Sequence, residues 1–391
     1  MGRLTATPPT MTFVGATARR MERQLLARPA TEAGPAGVAA AICAVHAQVM
    51  SAAELSIGRR LAGATRGDVR QALWVDRSLI RTFGPRGTVH LVAAGDLPMW
   101  TGALSALPSS VPNHPEPVRF RPAEADEVIA AIGSALSEAD LTVDELTDAI
   151  RERTGPWAVE RTMDAFQDKW PRWRVLTSTA AHRGVLCFGP DRGRNVTYAN
   201  PHRWLPGFQP VEGEAALRLL LARYLHVYGP ATPQHLATWL AIAPRTAATL
   251  FERTADALEV VDLDGLRAWT VAGDTETPAE PHRGVRLLPY FDAYVVAGQP
   301  RARLYPGAAA ARALSPSGQA GNYPVLLLDG IVGGVWHQRR SGRRMEITVE
   351  PLRELTRRER RELEDEAALV GSVLEAEPTL TVGTVSVGAH A

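Results

Sequence analysis

The sequence predicts an α+β protein: three tandem winged-helix units at residues 13–95, 120–205 and 212–275, then a small antiparallel β-barrel domain with one helix at 282–391. Three observations carry this. Amphipathic helices followed by two short β-type runs around a turn occur three times along the chain. A Pro/Glu/Thr-rich linker at 275–281 then marks a change to β-type alternation. The length of 391 residues, 45% hydrophobic and 22% charged, leaves room for roughly two to three domains of ~150 residues, each able to bury a core.

In chain order, residues 1–12 read as loose, and helical periodicity runs from about Ala16 to Pro29. The apolar stretch 36–58 follows, with Ser51 three before Glu54 as a capping box. Residues 65–77 read as a helix and 79–92 as a hairpin turning at Gly84-Pro85-Arg86-Gly87. In the second unit, 123–135 and 142–146 are helical, with Thr142 as N-cap and Glu145 three on; 173–183 is a further helix. Residues 184–188 and 195–199 form a hairpin with the charged tip Gly189-Pro190-Asp191-Arg192-Gly193-Arg194. In the third, 214–227 is amphipathic, Thr232-Pro233 starts a helix, 243–258 is a candidate recognition helix, and 259–271 is a wing turning at Asp264-Gly265. Strands are then expected at 285–288, 293–297, 325–328, 331–338, 345–349 and 379–387, with a charged helix at 356–374.

The formal charge of +1 announces no basic field, so any phosphate-binding surface must come from local clusters. Basic residues are nearly all arginine, Lys169 being the single lysine. Cys43 and Cys187 read as two buried free thiols of a reducing compartment. Cys43-x-x-His46 has no second pair to complete a metal site, and no metal or other cofactor is expected. No signal peptide and no bilayer-length apolar run is present, which points to a soluble cytoplasmic protein.

The unusual stretch is Ala44-Val45-His46-Ala47-Gln48-Val49, a polar pair inside one of the most apolar runs of the chain. Composition alone describes a satisfied core histidine beside a surface glutamine. Side chains at i and i+2 share a face on an extended segment but point apart on a helix. If both serve one substrate, the backbone must be extended or irregular here.

His46-Ala47-Gln48 resembles the triplet of the AlkZ/YcaQ-like winged-helix DNA glycosylases, in which two polar residues flank an apolar one. Arg86-Gly87-Thr88-Val89-His90-Leu91, Leu288-Pro289-Tyr290-Phe291-Asp292, and the stretch from Val325-Leu326-Leu327-Leu328-Asp329-Gly330 to Trp336 match the same family in order. His46 departs from the glutamine of the best-known members, which bears on the substrate more than on the reaction class. The resemblance implies His46 and Gln48 as catalytic residues, a β-barrel at the C-terminal end, and repair of, or self-resistance against, DNA-alkylating secondary metabolites. The implied partner is double-stranded DNA containing alkylated guanine, met by a monomer in the nucleoid.

The chemistry agrees with that assignment. Glycosidic hydrolysis requires an aimed water and support for an oxocarbenium ion. A histidine, with its ordinary pKa of about 6.5, suits a general base, and a glutamine carbonyl can hold the same water. A lyase activity needs an amine nucleophile, for which Lys169 is the sole lysine, far from the triplet; a monofunctional hydrolase is expected. Asp292 is a third candidate, to steady His46 or the sugar cation, with a turn aspartate as the equal alternative, and His90 a fourth. For DNA contact the candidates are Arg59, Arg60, Arg86, Arg192, Arg194 and, above all, Arg339, Arg340, Arg343 and Arg344 on a hairpin tip. The competing readings are a non-catalytic winged-helix transcription regulator and, more remotely, a thiol enzyme built on Cys43.

Overall fold

In the computed structural model, which describes residues 8–108, 115–164 and 168–389, the chain folds as two units, Met1–Gln71 with Leu221–Ala391 and Ala72–Leu220. Residues 1–7 of the N-terminal stretch expected to be loose lie outside the described residues.

The first unit joins both ends of the chain. Helix Phe13–Arg23 is capped by Thr12, whose hydroxyl accepts from Gly15 N at 3.0 Å, and it buries Phe13, Ala16 and Met21. Just before it, Thr10–Met11 is a strand, not loose chain: it pairs in parallel with Leu258–Leu263, the first arm of the hairpin completed by Leu266–Val271. That hairpin turns at Asp264-Gly265, both at positive φ, as a two-residue type I′ loop requires. Helix Pro233–Leu240 starts at Thr232, whose hydroxyl accepts from His235 N, with proline at the first helical position; helix Pro244–Arg253 follows.

The C-terminal sheet has five strands in the order Val285–Leu288, Val325–Leu328, Ile331–Ser341, Arg344–Pro351, Glu377–Val382. It is antiparallel until the last pair, which is parallel, and this corrects the wholly antiparallel expectation. The reason is the connection: helix Arg357–Leu374 crosses over between the last two strands and returns the chain in the same direction. The helix starts at a capping box of Thr356 and Glu359 and lays Leu363, Ala367, Val370, Val373 and Leu374 on Trp336, Ile347 and Val349. A second correction concerns Ala293–Ala297, which is a short helix and not a strand, because the carboxylate of Asp292 accepts from Tyr294 N at 3.0 Å and caps it.

The second unit packs helices Leu97–Ala106, Pro122–Glu138, Val143–Thr154 and Thr177–His182 with two hairpins. Leu79–Phe83 pairs antiparallel with Val89–Ala93, and Cys187–Phe188 with Thr197–Ala199. Thr142 and Glu145 form the expected capping box, and Trp173 sits fully buried, its indole N–H donating to the Thr147 hydroxyl at 2.9 Å. Arg161–Asp164 and Lys169–Pro171 make a small two-stranded ribbon that the sequence pattern does not announce. Among the described residues no helix is long and apolar enough to cross a membrane.

Candidate active site

Helix Pro35–Ala41 leads into the polar pair. Proline opens it and no glycine closes it. Its end is nonetheless a Schellman turn: Ala44 N donates to Ala39 O at 3.0 Å and Cys43 N to Ala40 O at 3.2 Å. Cys43 takes the left-handed position that glycine usually fills, with φ 59°, and Ala44 follows at φ 99°. Two such residues in a row cost on the order of 1–3 kcal/mol each. The hydroxyl of Tyr228 donates to Ile42 O and pins the turn.

The chain leaves this turn extended. Val45–His46 is a strand, Gln48 and Val49 lie in a bend, and helix Met50–Gly58 begins with Val49 as an N-cap that makes no side-chain bond. Val45 and Ala47 are buried at 1% and 0% exposure, whereas His46 retains 7% and Gln48 is exposed. His46 is thus buried like its neighbours, and exposure begins at Gln48 and Val49 in the bend. The expected Ser51/Glu54 capping box is absent. Glu54 is instead buried between Arg70 at 2.7 Å and Arg66 at 3.3 Å.

The imidazole of His46 stacks on the ring of Phe291, centroids 4.5 Å apart and planes 28° from parallel. Phe291 itself is at φ 55°, an outlier for a bulky residue, and its N–H donates to Gly321 O at 3.1 Å.

Asp292, the next residue, is not a group that reaches a substrate. Its side chain has no exposure, and both oxygens are saturated: Arg60 donates to each at 2.7 Å, the Ser56 hydroxyl donates to Oδ2 at 2.8 Å, and Tyr294 N to Oδ1 at 3.0 Å. Burial alone would push this carboxyl up, but the charge and hydrogen bonds of Arg60, with those of Ser56 and Tyr294, hold it below its ordinary value. The expectation that Asp292 supports the sugar cation is corrected to an internal ion pair.

The same network removes two arginines from the DNA-binding candidates. Arg60 is fully buried and also donates to Gln24 O and Ser56 O, both at 2.9 Å. Arg59 is 3% exposed and pairs with Glu366 at 2.7 Å. Burial draws Arg59 down to about 10 and raises Glu366, whose Oε2 still accepts from Leu287 N at 3.0 Å. Both guanidiniums bind helix Met50–Gly58 to the rest of its unit and cannot also hold a phosphate.

The remaining candidates are spread over the molecule. Arg339, Arg340, Arg343 and Arg344 are all exposed around the turn between Ile331–Ser341 and Arg344–Pro351. Arg340 bends back onto Gly342 O, Leu374 O and Glu375 O, and Glu346 lies opposite Arg339 in the ladder. In the second unit Arg192 is ion-paired with Glu145, and Arg194 is exposed beside it. Arg86 is half-buried at φ 61° in its turn. His90 is 5% exposed, its Nδ1 2.8 Å from Thr88 O, packed against the hairpin that carries it. Both cysteines are buried, and burial pushes the Cys187 thiol well up. A surface cleft of about 580 Å³, lined by Glu22, Arg28, Glu280, His282 and Arg283 among others, shares no residue with the triplet.

A polar pair just after a strained turn at Cys43-Ala44, in a mixed α/β scaffold with an arginine-tipped hairpin, fits a DNA-acting enzyme. The family described as DNA glycosylase AlkZ-like matches residues 39–373, and the chain belongs to it. It is 31% identical over 335 residues to the interstrand DNA cross-link repair glycosylase of Streptomyces sahachiroi, covering 81% of this chain and 85% of that one. The solved structure of Streptomyces sahachiroi DNA glycosylase AlkZ superposes with a TM-score of 0.80 at 28% identity, over 96% of this chain and 100% of that one.

Proposed function

We propose that this glycosylase hydrolyses the N-glycosidic bond of bulky N7-alkylguanine adducts in double-stranded DNA, without a lyase step. The observation that carries the reading is the irregular backbone of the triplet, a short strand ending at His46 followed by a bend at exposed Gln48, in a run that would otherwise be helical and apolar. N7 alkylation makes guanine a cation that departs without being protonated. The protein then has to orient a water and tolerate positive charge on the sugar, which two neutral acceptors do. His46 takes the proton from that water as C1′ is attacked, and Gln48 holds the same water through its carbonyl. Lys169 is the single lysine and lies far from the triplet in the sequence, so no lysine is assigned to a Schiff base.

The relative named for interstrand cross-link repair supports a large adduct, and with it self-resistance to a DNA-alkylating natural product. The protein acts as a monomer in the nucleoid. Arg339, Arg343, Arg344 and Arg194 meet the phosphates. A regulator without catalysis has no use for a polar pair in this apolar run, and membership of a glycosylase family disfavours it.

The test is to incubate the purified protein with duplexes carrying defined N7-guanine adducts of increasing bulk and to score abasic sites. His46→Ala and Gln48→Ala are each expected to abolish release while leaving DNA affinity within about threefold, as removal of an interaction made in the transition state does. Wild-type release rates in both variants would end the assignment.

A further inference from the structure

We infer that Phe291 is a positioning residue for the reaction: its ring fixes the plane of the His46 imidazole, and the Asp292–Arg60 ion pair exists to hold Phe291 in the backbone conformation this needs. The inference rests on His46 being the base assigned above.

Three observations converge on it. The rings are stacked, not edge-on, so the phenyl face blocks rotation of the imidazole about its χ2 axis. Phe291 is held at positive φ, where a side chain of its size is disfavoured, and strain of that kind persists only when the surroundings over-determine it. The surroundings do so from both sides. Gly321, at φ 101°, accepts the Phe291 N–H and leaves the space: a Cβ there would lie 2.9 Å from Phe291 Cδ1. Asp292 fixes the other flank through four hydrogen bonds, three of them from Ser56 and Arg60.

Ser56 lies in helix Met50–Gly58 and Arg60 just after it. That helix follows directly on the triplet, so one buried ion pair ties the segment bearing His46 to the residue that carries its stacking partner. An imidazole free to turn would present its nitrogen to the water only part of the time, and a misplacement of ~1 Å costs roughly 10²-fold in rate.

The test compares wild type with Phe291→Leu, which keeps volume but removes the ring, and Phe291→Tyr, which keeps the ring. With histidine isotopically labelled, the His46 imidazole protons are expected upfield in wild type and Phe291→Tyr, and to lose that ring-current shift in Phe291→Leu. On an adduct that wild type releases, Phe291→Leu is expected to lower kcat ~10- to 100-fold with KM nearly unchanged, and Phe291→Tyr to restore it. Phe291→Leu with wild-type kcat, or with the imidazole shift retained, overturns the inference. Wild type that keeps the upfield imidazole yet releases no base from any adduct overturns the glycosylase reading instead. Thermal melts of Phe291→Leu and Phe291→Tyr separate both from folding: a kcat loss in Phe291→Leu that Phe291→Tyr lacks, with both variants fully folded at the assay temperature, is expected.

Discussion

Asp292 and Arg60 illustrate how far a single residue can be read. The sequence marks Asp292 as a carboxylate inside an apolar motif, and the structure shows it spent entirely on Arg60, Ser56 and a helix N-terminus. Removing one member of such a pair strands a charge in a site without water, which costs about 3–5 kcal/mol, whereas replacing both by well-packed apolar groups costs far less. Asp292→Ala is therefore expected to lower the unfolding free energy measured in urea by that amount, and Asp292→Ala with Arg60→Met to recover most of it. A loss under about 1 kcal/mol in the single variant would show that water reaches the pair. His46 and Gln48 stand out in the sequence as candidates because the pair interrupts an apolar run and resembles a family triplet, whereas composition alone describes a core histidine beside a surface glutamine. Phe291 does not stand out, since nothing in a string of letters marks a phenylalanine at positive φ, and Arg59-Arg60 read as surface charge because their partners, Glu366 and Asp292, are distant in the sequence.

At the level of elements, the turn between Ile331–Ser341 and Arg344–Pro351 is the clearest DNA-facing candidate. If Arg339, Arg343 and Arg344 each neutralise a phosphate, replacing all three by glutamine lowers the slope of log affinity against log salt by up to ~0.9 per contact. An unchanged slope would exclude the hairpin. Helix Met50–Gly58 offers a packing test, because a Cβ on Gly58 would meet Val373 Cγ1 of helix Arg357–Leu374 at an impossible separation. Gly58→Ala is expected to destabilise by roughly 1–3 kcal/mol, and Val373→Ala to rescue it, in a thermal-melt comparison. The capping box at Thr142 and the turn at Asp264-Gly265 could be read directly. Helix ends could not: Leu25, Cys43, Ala241 and Glu375 all occupy left-handed positions usually given to glycine, so the usual stop signal is missing where the triplet begins.

For the molecule as a whole, acid sensitivity follows from two histidines, one in each unit. Burial lowers His182 to about 4 in spite of a hydrogen bond with Gly84. Burial, with the charges of Arg20 and Arg301, lowers His235 to about 4, and its Nδ1 accepts from Thr232 N, a bond only the neutral ring can make. Since both folded values lie below the ordinary 6.5, the unfolded chain binds more protons between pH 6.5 and 4. Stability is full above that window and is lost as pH falls through it, by up to about 3 kcal/mol per histidine. Urea titrations at pH 7 and pH 4.5 should differ accordingly, and His182→Gln with His235→Gln should narrow the gap; equal gaps would place the acid sensitivity elsewhere. The α+β class and most helices were legible, while the pairing of Thr10–Met11 with Leu258–Leu263 was not, because no local pattern records a partner so far along the chain. That unit, assembled from segments far apart in the sequence, has a temporal consequence: Ser56 and Asp292 meet across 236 positions, so a nascent polypeptide emerges from the ribosome with His46, the base under our proposal, already made while the ion pair that holds its stacking partner is still untranslated.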